Sequence, residues 1–185
     1  MKFRYAIVVT GLLLLVISCK EEPIPKPKAQ MRLEYPAGKL ATLETENFIF
    51  QYNQFANVES QDSKAITLSY PDMKGAIFLN YKKIDNNLGK LINDAKRLSY
   101  EHAVKADNIV EQPYVNPDEK IYGALFEVQG NAASQSQFFV TDSTEHFLTG
   151  AVYFATKPNY DSILPAAAYL QNDIRRIIES IKWKD

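Results

Sequence analysis

The sequence predicts an α+β fold in which two amphipathic helices pack on an antiparallel β-sheet. Three observations support this prediction. Most of the chain after residue 30 alternates apolar and polar residues, which is the period-two pattern of half-buried strands. The turns between several of these segments are short and polar, and only antiparallel strands can be joined so closely. Two longer segments repeat their apolar residues with helical spacing, so each must bury one stripe against the sheet.

Strands are predicted on both sides of the first helix. Turn-like segments at 71–75, 130–134 and 142–145 separate neighbouring strands. The predicted strands cover residues 31–35, 47–52, 66–70 and 76–81 before the helix, and 109–115, 121–129, 135–141 and 147–155 after it.

The first helix is predicted to begin after a polar cap and to run to His102. The cap is one of three residues, which the sequence does not rank: Asp85, Asn86 and Asn87. Its apolar face consists of Leu88, Leu91, Ile92, Ala95, Leu98, Ser99 and His102. Two ion pairs between residues four apart are expected on the opposite side: Lys90 with Asp94, and Arg97 with Glu101.

The second helix is predicted to run from Asp161, as its N-cap, to Lys182. Pro165 would then fall in the first turn, where some amides lack helical partners and a proline is tolerated. The apolar stripe of this helix consists of Ile163, Ala167, Leu170, Ile174, Ile177, Ile178 and Ile181.

Residues 1–18 have the pattern of a signal peptide for export. Lys2 and Arg4 precede an apolar run at 6–17, which is too short to span a bilayer permanently, because a spanning helix needs about 20 residues. Residues 16–19 resemble the lipobox of bacterial lipoproteins, which implies cleavage before Cys19 and a diacylglycerol on its thiol. Two or three acyl chains on one residue would hold the protein on a membrane.

Residues 19–30 are predicted to form the lipidated cysteine and a proline-rich tether. Prolines at alternate positions favour an extended backbone and exclude a helix. One globular domain is expected in residues 31–185, a length that supports one hydrophobic core. Cys19 is the only cysteine, so a disulfide within the chain is excluded.

The charge pattern argues against nucleic acid as a partner. The formal net charge is −1, and no cluster of Lys or Arg stands out. After the signal, no apolar run is long enough to span a membrane. The partners that we expect are a membrane, through the anchor, and other proteins, whereas a small-molecule ligand is not expected.

No set of residues in the sequence has the pattern of a catalytic site. His146 follows Asp142 and Ser143, but the segment lacks the Gly-x-Ser-x-Gly elbow of a serine nucleophile, so a polar turn is expected there. A metal site at Asp142, Glu145 and His146 would need further ligands. The small residues at 130–134 lack the phosphate-loop pattern. We therefore expect no enzyme activity, no metal and no cofactor.

Several short segments follow one another in an informative order. They are the lipobox, the Pro-Lys-Pro-Lys tether and residues 105–109, 130–134, 137–138, 141–143, 146–147, 150, 153–154 and 157–162. Over most of the chain after the signal, this series resembles the gliding-motility lipoprotein GldD family. The resemblance implies a role in gliding motility and type IX protein secretion, as an accessory lipoprotein without established catalytic residues. The order of strands and helices also resembles the α-β-α sandwich of the PsbP and Mog1 type.

The resemblance implies a lipid-anchored protein of the cell envelope, which we expect in the outer membrane. Residues 20–22 resemble a charged signal that sends some lipoproteins to the cell surface, and a periplasm-facing position remains open. Our functional prediction is a non-catalytic assembly component that docks other envelope proteins of the gliding and secretion apparatus. The alternative is an envelope domain that binds or hydrolyses a small ligand. The candidate interaction surface consists of Asn131, Ser134, Asp142, Ser143, His146, Tyr153, Asn159 and Tyr160.

Overall fold

Ten strands and two α-helices form the part of the chain that the structure describes. The computed structural model describes residues 38–61, 64–101, 106–156 and 159–184. The export signal, Cys19, the tether, the strand predicted at 31–35 and His102 lie outside these ranges. In chain order the elements are β1 (Leu40–Glu44), β2 (Phe48–Asn53), β3 (Asn57–Gln61), β4 (Ala65–Tyr70), a short 3-10 helix (Pro71–Met73), β5 (Gly75–Lys83), α1 (Leu88–Glu101), β6 (Ala106–Asn116), β7 (Ile121–Gly130), β8 (Ser136–Thr141), β9 (His146–Phe154), α2 (Tyr160–Ser180) and β10 (Lys182–Trp183).

The strands form two antiparallel sheets. Seven strands make the larger sheet, in the order β3-β4-β5-β9-β8-β7-β6, and β1, β2 and β10 make the smaller one. Together with the two helices, this arrangement confirms the predicted α+β class. The closer likeness to the PsbP and Mog1 sandwich stays a prediction.

The sequence pattern does not predict β1, β3 or β10. Each lies at the edge of its sheet, where backbone hydrogen bonds to one neighbour hold the strand, so its sequence need not alternate apolar with polar residues. Two residues of β10 pair with Phe48 and Ile49 of β2, so Lys182 belongs to a strand and not to the end of the second helix. The other seven strands lie where the alternation predicted them, with small differences at their ends.

Helix α2 packs on one face of the large sheet, together with β2. Leu170, Ile174 and Ile177 are fully buried there, in the same core as Phe48 and Phe50 of β2. Fully burying a side chain of this size contributes about 1.5–3 kcal/mol. The predicted stripe of this helix is therefore confirmed at its centre, and it provides much of the core.

The start of α2 differs from the prediction. The N-cap is Asn159 and the helix begins at Tyr160, so Asp161 lies inside the first turn. The Asn159 carbonyl accepts the backbone amides three and four residues further on, at 3.0 and 3.1 Å, and this starts the helix before Asp161. Pro165 consequently lies beyond the first turn, where its ring removes one helical hydrogen bond.

Helix α1 packs on the opposite face of the large sheet. Neighbouring residues of β7 show the two faces, because Phe126 lies in the core under α1 whereas Glu127 forms an ion pair with Arg175 of α2. Leu91 and Ala95 of α1 are buried in the same core as Phe126. The two helices therefore enclose the sheet from both sides.

The exposed side of α1 departs from the prediction in two respects. Leu98 was expected on the buried face but is 53% exposed, because it lies on the flank of the helix that looks toward an uncovered part of the sheet. Arg97 pairs with Glu101 at 3.3 Å, as predicted, but the partner of Asp94 is also Arg97, at 3.4 Å, and not Lys90. Of the three candidate caps, Asn87 precedes the helix, and its carbonyl accepts the Leu91 amide at 3.0 Å.

Candidate functional site

Half of the large sheet has no described helix on the face that α1 occupies. Six spacings of about 4.8 Å make a seven-stranded sheet about 29 Å wide, whereas a helix is about 10–12 Å across. Helix α1 covers the side of β6, β7 and β8, where Lys96 Nζ reaches Glu111 Oε1 of β6 at 2.7 Å, and also the first end of β9, where Phe147 lies in the core under the helix. On β4, β5 and β9, the six residues of this face nearest the turn between β4 and β5 form what we call the open face: Thr67, Ser69, Ala76, Phe78, Ala151 and Tyr153. Toward the other end of these strands the same face continues with Ala65, Asn80, Lys82 and Thr149.

Phe78 and Tyr153 are the largest side chains of the open face. Each is 39% exposed, and their rings meet edge to face with centroids 5.8 Å apart. Leu98 of α1 borders the same surface. Large apolar patches on a folded protein commonly mark interaction sites, so the open face is a candidate docking surface.

Two depressions adjoin the aromatic pair. The smaller, of ≈ 150 Å³, lies between α1 and the sheet and reaches Ser99 and Gln137. The larger, of ≈ 410 Å³, extends to the turn between β4 and β5 and to Lys74. Phe78 and Tyr153 line both depressions, which together we call the groove. Lys74 is the one charged side chain among the described residues that line it.

Gln137 places a buried amide in the smaller depression. This residue is 6% exposed and lies in one cross-strand row with Ala151 and Phe78. Its Oε1 lies 3.1 Å from Ser99 Oγ, while its Nε2 has no hydrogen-bond partner among the described residues. An unpaired buried donor is unusual in a folded protein.

Asp142 organises the turn between β8 and β9. Its carboxylate accepts the hydroxyl of Thr144 at 2.6 Å and the backbone amides of Thr144, Glu145 and His146 at 3.0, 2.9 and 2.8 Å. Burial opposes ionisation of this carboxyl, but the hydrogen bonds outweigh it and lower the pKa of Asp142 to about 2. The carboxylate is therefore occupied in holding its own turn.

His146 packs into an aromatic cluster and not against Ser143. Its Nδ1 lies 2.8 Å from the Tyr81 hydroxyl, and its ring stacks on Trp183 with centroids 5.1 Å apart. Ser143 has a φ of 71°, and its hydroxyl makes no hydrogen bond with any described residue. Serine, histidine and carboxylate are thus close in sequence, but they do not form the hydrogen-bonded chain of a catalytic triad.

Asn131, Asn159 and Tyr160 meet at the start of α2. The Asn131 Oδ1 accepts the backbone amide of Tyr160 at 2.9 Å, which ties the connection between β7 and β8 to the helix. Desolvation and then nearby acidic groups raise the pKa of Tyr160. Ser134, in the same connection, is fully buried, and its hydroxyl donates to the Ser136 carbonyl at 3.2 Å. Ser134 therefore cannot belong to an exposed surface, contrary to expectation, because the chain already turns inward before β8.

The predicted surface residues lie in three separate places. Strand β9 runs from His146 to Phe154, and nine residues of strand span about 27 Å. Asp142, Ser143 and His146 lie at its first end, whereas the start of α2 lies near its other end. Of the predicted residues, Tyr153 alone belongs to the open face.

A buried polar cluster between α2 and β2 was not predicted from the sequence. Asp173 is 2% exposed, and its carboxylate accepts Asn53 Nδ2 at 3.0 Å and Arg176 Nη1 at 3.1 Å. The same Asn53 nitrogen donates to the Tyr169 hydroxyl at 2.7 Å. Desolvation is the largest cause of the raised pKa of Asp173, and it also raises the pKa of Tyr70, whose hydroxyl faces this carboxylate. The signal for this cluster was an acidic residue inside the apolar stripe of α2.

The fold and the groove define an α+β domain whose sheet is covered on one face and half open on the other. Within the described ranges, no three His, Cys, Asp or Glu side chains come together as metal ligands would. Neither described helix has the length and hydropathy that crossing a bilayer requires.

The model of the family "Gliding motility lipoprotein GldD" matches residues 20–183, so the chain belongs to this family. The resemblance seen in the sequence is thereby confirmed. Membership makes the protein a gliding-motility lipoprotein that is anchored to a membrane of the cell envelope. Among curated proteins, none matches the chain.

Proposed function

We propose that this lipoprotein is a non-catalytic assembly component of the gliding apparatus and of the type IX secretion system. A lipid on Cys19 anchors it in the outer membrane, and the open face docks another protein of the same envelope apparatus. The observation that carries the proposal is the half-covered sheet, whose largest exposed side chains, Phe78 and Tyr153, are aromatic.

The composition of the open face suits a protein partner. The centres of protein interfaces are depleted in charge and enriched in aromatic residues, which often supply most of the binding energy. The six residues of the open face include two aromatic side chains and no charged one, and the same face of β5 carries a charge only further along the strand, at Lys82. A partner seated there would remove Phe78 and Tyr153 from water, and apolar burial contributes about 25 cal/mol per Å².

The contacts of the best catalytic candidates support a structural role for them. Asp142 accepts four hydrogen bonds within its own turn. His146 forms a hydrogen bond with Tyr81 and stacks on Trp183. Ser143 has no hydrogen bond from its hydroxyl to a described base. Activation of a serine nucleophile requires such a bond to a base, so these residues support an assembly role better than a hydrolytic one.

The test replaces one exposed phenylalanine at a time in gliding cells. Phe78→Glu should abolish gliding and secretion although the protein is lipidated, folded and membrane-bound in normal amount. Phe55→Glu is the matched control, because Phe55 is 49% exposed but lies after β2, outside the open face. This control should glide and secrete as the wild type does. Normal gliding of Phe78→Glu would show that the open face is not the docking surface.

Two further sets of variants separate assembly from chemistry and test the anchor. Ser143→Ala and His146→Phe, which keeps a ring against Trp183, should both retain gliding and secretion. Loss of function in either, with normal folding, would favour the hydrolytic alternative.

Cys19→Ser should release the protein from the membrane fraction, and retention there would contradict the lipid anchor.

A further inference from the structure

We propose that the groove binds an extended, uncharged and apolar segment of the partner protein, with a carboxylate at the Lys74 end. This inference rests on the docking function proposed above and specifies the chemistry of what docks. Three features of the groove carry it: the half-paired amide of Gln137, the aromatic lining, and the single charge at one end.

The amide of Gln137 requires a polar group from the ligand. The hydroxyl of Ser99 lies 3.1 Å from the Ala95 carbonyl and 3.1 Å from Gln137 Oε1, but it has one proton to donate. If Ser99 donates to Gln137, the amide nitrogen stays unpaired; if Ser99 donates to Ala95 and the amide is reversed, the amide oxygen stays unpaired. In either orientation, one polar atom of a buried side chain lacks a partner beside an apolar depression.

A peptide group in an extended segment meets this requirement. It presents both a donor and an acceptor, so it can pair with Gln137 in either orientation of the amide. An acyl chain would fill the apolar groove but would leave the amide unpaired. A helix would do the same, because its peptide groups are bonded within the helix. The smaller depression, of ≈ 150 Å³, has about the size of a cavity that holds benzene, so it accepts one large apolar side chain.

The positions of Gln137 and Lys74 set the length of the segment. Gln137, Ala151 and Phe78 lie directly opposite one another on β8, β9 and β5. Two strand spacings separate Gln137 from Phe78, about 9.6 Å, and about 13 Å of chain separates Phe78 from Lys74. The line from Gln137 to Lys74 is therefore about 16 Å, which about five extended residues span.

Lys74 determines the charge of one end of the segment. Its ammonium makes no ion pair with any described residue, and the other described residues that line the groove are uncharged. An acidic side chain or a C-terminal carboxylate would complement this charge, whereas a charge near Phe78 or Gln137 would be buried without a partner. The segment is therefore apolar along its length and acidic at one end.

The experiment uses the full-length lipoprotein in gliding cells, with a photo-crosslinking amino acid, p-benzoylphenylalanine, in place of Ser69 at the rim of the open face. Mass spectrometry of the crosslinked product identifies the partner residues. We expect an uncharged apolar stretch of about five residues, followed on the Lys74 side by Asp, Glu or a C-terminus. Gln137→Leu and Lys74→Gln should each lower the crosslink yield about tenfold.

Matched controls separate binding from folding. Gln129→Leu changes an exposed glutamine of β7, and Lys82→Gln changes an exposed lysine on the same strand and face as Phe78. Neither residue lines the groove, so both variants should crosslink as the wild type does. Gln137→Leu should also unfold at about the same temperature as the wild type, because it removes an unpaired buried nitrogen together with one hydrogen bond to Ser99; a glutamine whose amide was fully paired within the fold would lower that temperature.

The outcomes distinguish this inference from the function on which it rests. A crosslink to protein that is insensitive to Gln137→Leu and Lys74→Gln, or that maps to a helix or a charged stretch, overturns the inference and leaves the docking function standing. A crosslink to lipid alone, or no crosslink to protein from a folded and membrane-bound variant, overturns both.

Discussion

Replacing Asn53 with Ala should lower the free energy of unfolding by about 3 kcal/mol. The side chain is 1% exposed; its amide nitrogen donates to Asp173 and to Tyr169, and its Oδ1 accepts the Phe55 amide at 3.1 Å. A hydrogen bond to a charged group contributes about 1.5–3 kcal/mol, and each neutral one about 0.5–1.5 kcal/mol. The three together give about 2.5–6 kcal/mol, and partial relaxation of the site places the expected loss toward the lower end of that range.

The same substitution should change the pH dependence of stability. The hydrogen bond from Asn53 lowers the pKa of Asp173, which desolvation raises, so this pKa should rise further in Asn53→Ala. A raised pKa means that the fold favours the protonated carboxyl. The free-energy cost of burying the ionised carboxylate is therefore present at neutral pH and is relieved as the pH falls through the folded-state pKa. The difference between Asn53→Ala and the wild type should therefore become smaller in acid.

Urea unfolding, followed by the fluorescence of the single tryptophan, Trp183, measures both effects. Asn80→Ala is the matched control, because Asn80 is an exposed asparagine on β5, and its loss should change the free energy of unfolding by less than about 0.5 kcal/mol. A change below about 1 kcal/mol for Asn53→Ala at pH 7 would refute the argument that this cluster fastens α2 to β2.

Two further predictions concern the β8–β9 turn and the glycines. Asp142→Asn should lower the free energy of unfolding at pH 7 by about 1–2 kcal/mol, because a shift to a pKa of about 2 is worth about 1.36 kcal/mol per pH unit before solvent screening reduces it. A lowered carboxyl pKa stabilises the fold above the unfolded-state value near 3.9, so this difference should vanish between about pH 4 and pH 2; a constant difference would contradict the charge argument. Gly89→Ala should stabilise α1 by about 0.5 kcal/mol, because nothing lies within 4 Å of the added Cβ. Gly123→Ala should destabilise the sheet, because its Cβ would lie 2.0 Å from the Phe139 carbonyl oxygen. The unfolding temperature should rise in Gly89→Ala and fall in Gly123→Ala, and shifts of the same sign would contradict the steric argument.

The fold class could be predicted because both kinds of element bury one side. The stripe through Leu170, Ile174 and Ile177 has helical spacing, and Ile77, Leu79 and Tyr81 of β5 have strand spacing. Each pattern shows which residues are buried in the fold, whichever element of the structure covers them. The start of α2 could not be predicted as well, because the carbonyl of Asn159, and not a side chain, accepts the first amides of the helix.

The open face could not be predicted, because alternation shows which residues share a face but not whether another element covers that face. Phe78 follows the same period as Ala76 and Asn80, and nothing local distinguishes it from a residue under α1. Gln137 lies in a strand that is buried along its whole length, so its burial depends on α1, a distant part of the chain. Conversely, Asp142 and His146 are close in sequence, but their hydrogen bonds hold a turn and an aromatic cluster.

The division of the large sheet into two faces allows stability and docking to be changed separately. The main core lies on the side of α2 and β2, and Phe78 belongs neither to it nor to the smaller core under α1. Phe78→Glu should therefore leave the free energy of unfolding within about 1 kcal/mol of the wild type, whereas Asn53→Ala removes about 3 kcal/mol of the 5–15 kcal/mol typical of a domain. If gliding fails in Asn53→Ala because too little protein is folded, growth at a lower temperature should restore it, since domains are most stable at about 10–20 °C. Cooling should not restore gliding in Phe78→Glu, because a glutamate buried under the partner weakens binding at any temperature. Recovery of gliding in the cold would show that the defect of that variant lies in folding.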